Sequence, residues 1–345
     1  MVSPGLRRFT FAFLLPTLTP AALAGCGSAA PPPDLGMPLP VAATVTVDPT
    51  TAHQTMVGFG AAVAYFAGSA MANPMSAQLF QTLFGDLGIQ ILRVGNWYDN
   101  NGDNNASFKQ TAAFVKAVHQ AGYAPMLLMS SWNPPFSAWT SIDGSTSYPS
   151  LKTNNMNDAG GTLPKSAGGG YDYPNFGAWW AQSLAAFQTA TGGIVPDVIS
   201  IQNEPDFTTT QEGTCLFDPM EDANAGYGQA LDAVKTAIAG TAGLPLPKLA
   251  GPENDSLNKN EVPNYLTGIA SSGYIDDLDI VAHHLYGGTD AAPNMYDSYM
   301  TGVATAAAGK PIWQTEYAPN AQSAFFTAWL IQNAVTVEGV SAYLY

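Results

Sequence analysis

Two glutamates stand where they could share an acid–base reaction. Glu204 follows the apolar run Val198–Gln202 within Asn203-Glu204-Pro205-Asp206, and Glu316 follows Ile312–Thr315 and precedes Tyr317. Both occupy ends of segments that read as buried strands. Two carboxyl groups facing each other across a cleft suit cleavage of a glycosidic acetal. One protonates the leaving oxygen while the other supports the positive charge that develops on carbon. A single glutamate at a strand end is commonly just a solvated loop carboxylate. Two of them, flanked by Asn203, Trp313 and Tyr317, form a constellation.

The supporting residues can be chosen on chemical grounds. A carboxylate nucleophile must stay ionised and gains from a nearby cation; beyond Arg7 and Arg8 the sequence has one arginine, Arg93, at the end of another apolar run. Asn203 is suited to bond a sugar 2-hydroxyl. Glu253 also ends a strand-like run and reads as a hydrogen-bonding neighbour of the pair, although it could be mistaken for one of its members. Trp132, in the proline-stiffened Ser131-Trp132-Asn133-Pro134-Pro135, is the first choice for a flat surface under a sugar ring, with Trp97, Trp139 and Tyr286 behind it. His283 and His284 are neighbours on one strand and point opposite ways. A zinc site built from them with Glu253 therefore lacks both geometry and ligand spacing. No metal and no cofactor are expected. Gly168-Gly169-Gly170 lacks the Lys-Ser/Thr of a phosphate loop and reads as a flexible rim within an insertion at about 140–172. Cys215 reads as a buried structural thiol.

These residues need a frame that brings strand ends together. Eight short apolar runs recur: Met56–Ala62, Ile89–Val94, Pro125–Ser130, Val198–Gln202, Lys248–Gly251, Ile280–His284, Ile312–Thr315 and Val340–Tyr345. Amphipathic stretches alternate with them, including Ser76–Leu87, Ser107–Ala121, Phe176–Thr191, Glu221–Ala239 and Ser323–Val337. Runs without polar alternation mark parallel strands covered on both faces. Eight of them predict an α/β fold, the (β/α)8 TIM barrel, whose catalytic residues sit at the C-terminal strand ends. A doubly wound sheet would also alternate, but no G-x-G-x-x-G turn follows the first strand. The catalytic domain is placed at 44–345. Thr44-Val45-Thr46-Val47 reads as the remnant first strand of a β-domain beside the barrel. The sequence ends at Tyr345, within strand eight and without an eighth helix. A barrel incomplete at that point, a truncated chain, exposed apolar surface on strands one and eight and poor expression are expected.

The N-terminus is a targeting segment. Arg7 and Arg8 precede the apolar Phe9–Leu15, too short to span a bilayer, and Leu23-Ala24-Gly25-Cys26 resembles the lipobox of bacterial lipoproteins. That resemblance implies a signal peptide over 1–25, a lipidated Cys26 and a proline-rich tether over 26–43. The domain would then be held at the bacterial cell envelope, or secreted if the signal is an ordinary one. Acidic residues outnumber basic ones 26 to 11, which gives a net charge of −15 and argues against a nucleic-acid partner. A hydrophobic content of 46% excludes a disordered chain. A monomer acting on a neutral, hydroxyl-rich ligand is expected.

The motifs converge on one resemblance. Gly58-Phe59-Gly60-Ala61-Ala62, Ile91-Leu92-Arg93-Val94 and Ser131-Trp132-Asn133-Pro134-Pro135 resemble glycoside hydrolase family 30. So do Ile199 to Asp206, His284-Leu285-Tyr286-Gly287 and Trp313-Gln314-Thr315-Glu316, in that family's order over about 290 residues. Asn-Glu-Pro is shared across the clan A barrel glycosidases; the tryptophan and His-Leu-Tyr-Gly motifs resemble the xylanase branches. The resemblance implies a retaining β-glycosidase with Glu204 as acid/base and Glu316 as nucleophile. It also implies that Arg93 supports Glu316 and that His284 and Tyr286 lie near the cleaved sugar. The expected activity is endo-β-1,4-xylanase on a xylan-like polysaccharide. A basic residue that reads glucuronate in the resembling branch falls in the loop after strand eight, beyond Tyr345. The alternatives are another activity of the same family (β-1,6-glucanase, β-1,6-galactanase or glucosylceramidase-like) and an inactive glycan-binding surface lipoprotein.

Overall fold

Each of the eight apolar runs becomes a parallel strand: β1 (Gly58–Ala62), β2 (Ile91–Asn96), β3 (Met126–Ser131), β4 (Val198–Ser200), β5 (Lys248–Ser256), β6 (Ile280–Tyr286), β7 (Ile312–Glu316) and β8 (Ala342–Leu344). They pair in the order β1-β8-β7-β6-β5-β4-β3-β2 and close into a barrel. The computed structural model describes residues 50–73, 75–99, 103–154, 160–208, 214–257, 260–287, 293–318 and 324–345. The signal segment, Cys26, the tether and the Thr44–Val47 strand lie outside the described residues. Residues Ala52–Tyr345 form one compact unit.

Helices cover the barrel in alternation with the strands: α1 (Ser76–Phe80, continuing through Gln81–Asp86), α2 (Asp103–Gln120), α3 (Tyr173–Thr191), α4 (Tyr227–Ala239), α5 (Glu261–Ser271), α6 (Asp297–Ala306) and α7 (Ala324–Asn333, continuing through Ala334–Glu338). Their sequences show why. In α5 the buried Val262, Tyr265, Leu266 and Ile269 recur at helical spacing and form one stripe against the sheet. α3 begins where the Asp172 side chain accepts the Asn175 amide, and it ends at Gly192 in the left-handed region with φ 84°. Among the described residues no helix is long and apolar enough to cross a membrane.

Period-two alternation sorts the strand side chains into two cores. Ile91, Leu128, Val198, Ala250, Ile280, Ala282, Trp313, Ala342 and Leu344 fill the barrel interior. Their neighbours, such as Leu92, Leu127, Met129, Ile199, Leu249 and Val281, face the helices in a second, larger cluster. Gly60 on β1 is dictated by this interior: a Cβ there would meet the Ile91 carbonyl at 2.5 Å and Leu344 Cγ at 2.8 Å.

The expectation of a barrel left incomplete at strand eight is corrected. β8 is only three residues long, yet it pairs with β1 and β7 and leaves no open edge. The flanking amides extend the ladder: Val57 donates to the Ser341 carbonyl, Tyr345 to Gly60, and Ala62 to Tyr345. A few residues suffice because each strand of a tilted barrel needs only a short stretch of pairing. Phe59 on β1 and Tyr345 just after β8 are exposed, as expected for these two strands, whereas Tyr343 of β8 is buried.

Candidate active site

The polar residues of the site follow from strand register. Two residues beyond interior Ile91, Leu128, Val198 and Ala282 come Arg93, Ser130, Ser200 and His284, which therefore also point inward, one layer nearer the C-terminal mouth. Simple alternation from Trp313 and Ala250 would turn Glu316 and Glu253 outward to the helices. Two β-bulges reverse that. Between β6 and β7 the register passes from His283↔Gln314 to His284↔Glu316, so Thr315 is the extra residue and Glu316 swings in. Between β5 and β6 it passes from Pro252↔Ala282 to Asn254↔His283, and Glu253 itself is the extra residue. Bulges beside active sites re-aim side chains in this way.

Arg93 is the hub. It is fully buried and donates from Nε to Ser130 Oγ at 3.1 Å, and from one terminal nitrogen to Asn203 Oδ1 at 2.6 Å and Glu253 Oε2 at 3.0 Å. Its other terminal nitrogen contacts Glu316 Oε2. Tyr286 donates its hydroxyl to Glu316 Oε1 at 3.2 Å. On the opposite side of the cleft, His284 Nδ1 lies 2.8 Å from Glu204 Oε1 with a proton between them. One oxygen each of Glu204 and Glu316 and one nitrogen of His284 all lie within 4.8 Å of one another. These three could offer a donor each to a metal ion, but the Arg93 cation against Glu316 opposes a second cation there.

The charges are tuned by competition. Burial pushes the Glu316 carboxyl up, but the charges of His284 and Arg93, with the Arg93 and Tyr286 hydrogen bonds, hold it below the usual carboxylate range. Glu253 is likewise held low against burial, by Arg93 and His284 and the hydroxyls of Ser200 and Ser130. Burial lowers His284, yet the charge of Glu316 and the bond to Glu204 raise it overall above ordinary imidazole. Arg93 is raised too, since Glu253 and Glu316 outweigh its desolvation.

The structure brings Glu204, Glu316, Asn203, Arg93, His284 and Tyr286 into this one cluster. Trp132 is different. It is 6% exposed, packed against Trp97 at a 5.6 Å centroid distance, with the Arg93 guanidinium 4.6 Å over its ring. Trp97 and Arg93 thus lie against its ring, which offers little open surface to a sugar. An exposed aromatic packed beside it is Tyr65, whose ring lies 4.8 Å from Trp97 and 5.7 Å from Trp132. The Tyr65-Phe66 pair just after β1 was the signal available in the sequence. Trp139 is fully buried and stacks on Tyr148 at 4.1 Å, which makes it a packing residue. His283 faces the helix layer, where its Nε2 lies 2.6 Å from Glu338 Oε1 with both side chains buried. The Gly168-Gly169-Gly170 run is the tip of a tight hairpin bridged between Lys165 and Tyr171. Cys215 is fully buried, and burial pushes its thiol up to about 12.

A further acidic pair lies beside the cluster. Asp206, beside the Glu204 loop, accepts the Asp255 amide at 3.3 Å; burial first, then the Asp255 charge, pushes its carboxyl up to about 7.

The sequence matches no protein-family model and no curated protein. Solved structures share the fold. A glycoside hydrolase family 30 subfamily 8 xylanase from Clostridium acetobutylicum aligns with TM-score 0.57 and 22% identity over 85% of this chain. A family 30 endoxylanase from Clostridium papyrosolvens aligns with TM-score 0.55 and 20% identity, also over 85% of this chain. The chain spans 64% and 65% of their lengths. A fungal β-1,4-galactanase aligns with TM-score 0.54 and 17% identity, over 84% of this chain and 89% of its own. The closed parallel barrel with flanking helices is thus a fold that this chain shares with these glycoside hydrolases.

Proposed function

We propose that this chain is a retaining glycoside hydrolase that cleaves β-1,4-linked xylan-type polysaccharide by double displacement. The observation that carries the reading is the facing pair: Glu204 on His284 and Glu316 on Arg93, with oxygens within 4.8 Å. Retaining enzymes hold their carboxyl groups about 5–5.5 Å apart, whereas inverting ones leave about 6.5–9.5 Å for a water molecule. In the first step Glu316 attacks the anomeric carbon while the proton shared by Glu204 and His284 passes to the leaving oxygen. In the second, Glu204 takes a proton from water, the water oxygen bonds to that carbon, and Glu316 leaves as carboxylate. Asn203 gives its Oδ1 to Arg93, which turns its amide nitrogen toward the sugar 2-hydroxyl. Tyr65 replaces Trp132 as the platform for a sugar ring.

The xylan preference is supported by the motifs around Trp132 and His284 and by two neighbours that are xylanases. Incubation with xylan, glucuronoxylan, β-1,4-galactan and β-1,6-glucan, with proton NMR of the first-formed anomer, tests it. Release of β-anomeric xylo-oligosaccharides is expected. Release from β-1,6-glucan alone, or an α-anomeric first product, would contradict it. The galactanase, matched over 89% of its length, favours a second reading in which β-1,4-galactan is the better substrate. We further propose that Cys26 is acylated and tethers the enzyme at the cell envelope, without nucleic acid, cofactor or protein partner. Release of the protein into the medium by Cys26→Ala is the expected outcome.

A further inference from the structure

Glu253 is a carboxylate without a role in double displacement, yet it is built into the centre of the site. It is the extra residue of the β5 bulge, its backbone sits in the left-handed region at φ 59°, and it has no exposed surface. Non-glycine residues hold that conformation at a cost and persist there where surrounding structure fixes them. The bulge turns its carboxylate onto Arg93, so one guanidinium bridges two carboxylates, Glu253 at 3.0 Å and Glu316. The two differ in access. The Glu316 side chain is 25% exposed to the cleft and Glu253 is sealed at 0%. Sugar can reach only the first.

We propose that Glu253 is a positioning residue, a permanent counter-charge that keeps Arg93 in place and neutralised while Glu316 is esterified. This rests on the reading of Glu316 as nucleophile. Esterification removes the negative charge of Glu316, and a buried arginine that loses its only carboxylate becomes an uncompensated cation. That cation would sit beside the carbon on which positive charge develops as water attacks. With Glu253 ionised, the pair stays neutral through both steps and the guanidinium keeps its grip on Asn203 Oδ1. The titratable groups facing this arrangement are Arg93 from β2, Glu204 after β4, Tyr227 from α4, His284 and Tyr286 from β6, and Glu316 from β7.

The test is Glu253→Gln, which keeps shape and removes charge, beside Glu253→Asp, which keeps charge. In Glu253→Gln the acid limb of kcat/KM moves to lower pH by about one unit, because Glu316 loses a negative neighbour. Turnover falls about 100-fold, with a burst of aglycone from an activated aryl glycoside as the ester accumulates. In Glu253→Asp the acid limb stays in place. A uniform loss of activity at every pH, with a lower Tm and no shift of the limb, would mean a merely structural residue and overturn the proposal. If Glu253→Gln does not fold, Glu253→Asp decides alone: an acid limb displaced as by loss of charge overturns it. Trapping wild type with a 2-deoxy-2-fluoro glycoside separates the two readings. Label on Glu316 with an unshifted Glu253→Gln sinks only the role of Glu253, whereas label on Glu253, or no turnover of any β-glycan, sinks both.

Discussion

The barrel interior holds two layers made by the same strands two residues apart. The lower layer, with Ile91, Leu128, Val198 and Ala282, is apolar and closed. The upper layer, with Arg93, Ser130, Ser200 and His284, is just as buried but carries charge. Burial stabilises the first, each large side chain contributing about 1.5–3 kcal/mol. In the second, burial penalises every charge and is offset only by partners, so each group depends on its neighbour. A conservative cut in the lower layer should therefore weaken the fold, and one in the upper layer should disable chemistry.

The largest expected effect is in the upper layer. Glu316→Ala should lower turnover by several orders of magnitude, because removing a covalent nucleophile removes the path itself, while the melting transition survives. Retained wild-type hydrolysis in that variant would erase the distinction between the layers. Next come two cuts in stability. Glu338→Gln strands buried His283 and should cost about 3–5 kcal/mol, read from denaturant midpoints. Burial lowers His283, but Glu338 raises it overall. The stabilisation from this pair is thus complete below about pH 6.5 and lost as pH rises through the raised value, so Tm should fall on the alkaline side. Leu128→Ala should cost about 2–5 kcal/mol, with kcat at low temperature close to wild type.

Smaller effects sharpen the picture of the mouth. The pH profile should be bell-shaped. Its acid limb should lie below the ordinary glutamate value of about 4.3, since Glu316 is held low and must be ionised. Its alkaline limb should lie above the ordinary imidazole value of about 6.5, as His284 loses its proton. Tyr65→Ala should raise KM about 2- to 10-fold with little change in kcat, the scale of one aromatic stacking contact.

Much of this was legible in the sequence because strand ends are local. Continuous apolar runs marked all eight strands, and Glu204, Arg93 and His284 stand at or just beyond their ends. What escaped depends on register and packing. No pattern in Lys248–Ser256 announces that Glu253 is the extra residue of a bulge, since bulging is decided between strands. Closure at β8 depends on the same pairing, and the sequence shows only where the chain stops. The burial of Trp132 is not legible because its neighbours, Trp97 and Arg93, come from a segment some forty residues earlier. Asp206 gives no local signal because its perturbation comes from burial first and then from Asp255, which only the fold brings beside it on β5.

The most direct measurement of the central claim is mass spectrometry of the protein after reaction with a 2-deoxy-2-fluoro xylobioside bearing a good leaving group. A single covalent label on the peptide containing Glu316, lost on reactivation with a xylo-oligosaccharide, is the expected result. Label on the peptide containing Glu204 or Glu253, or steady turnover of xylan with no label at all, would contradict the assignment of Glu316 as nucleophile.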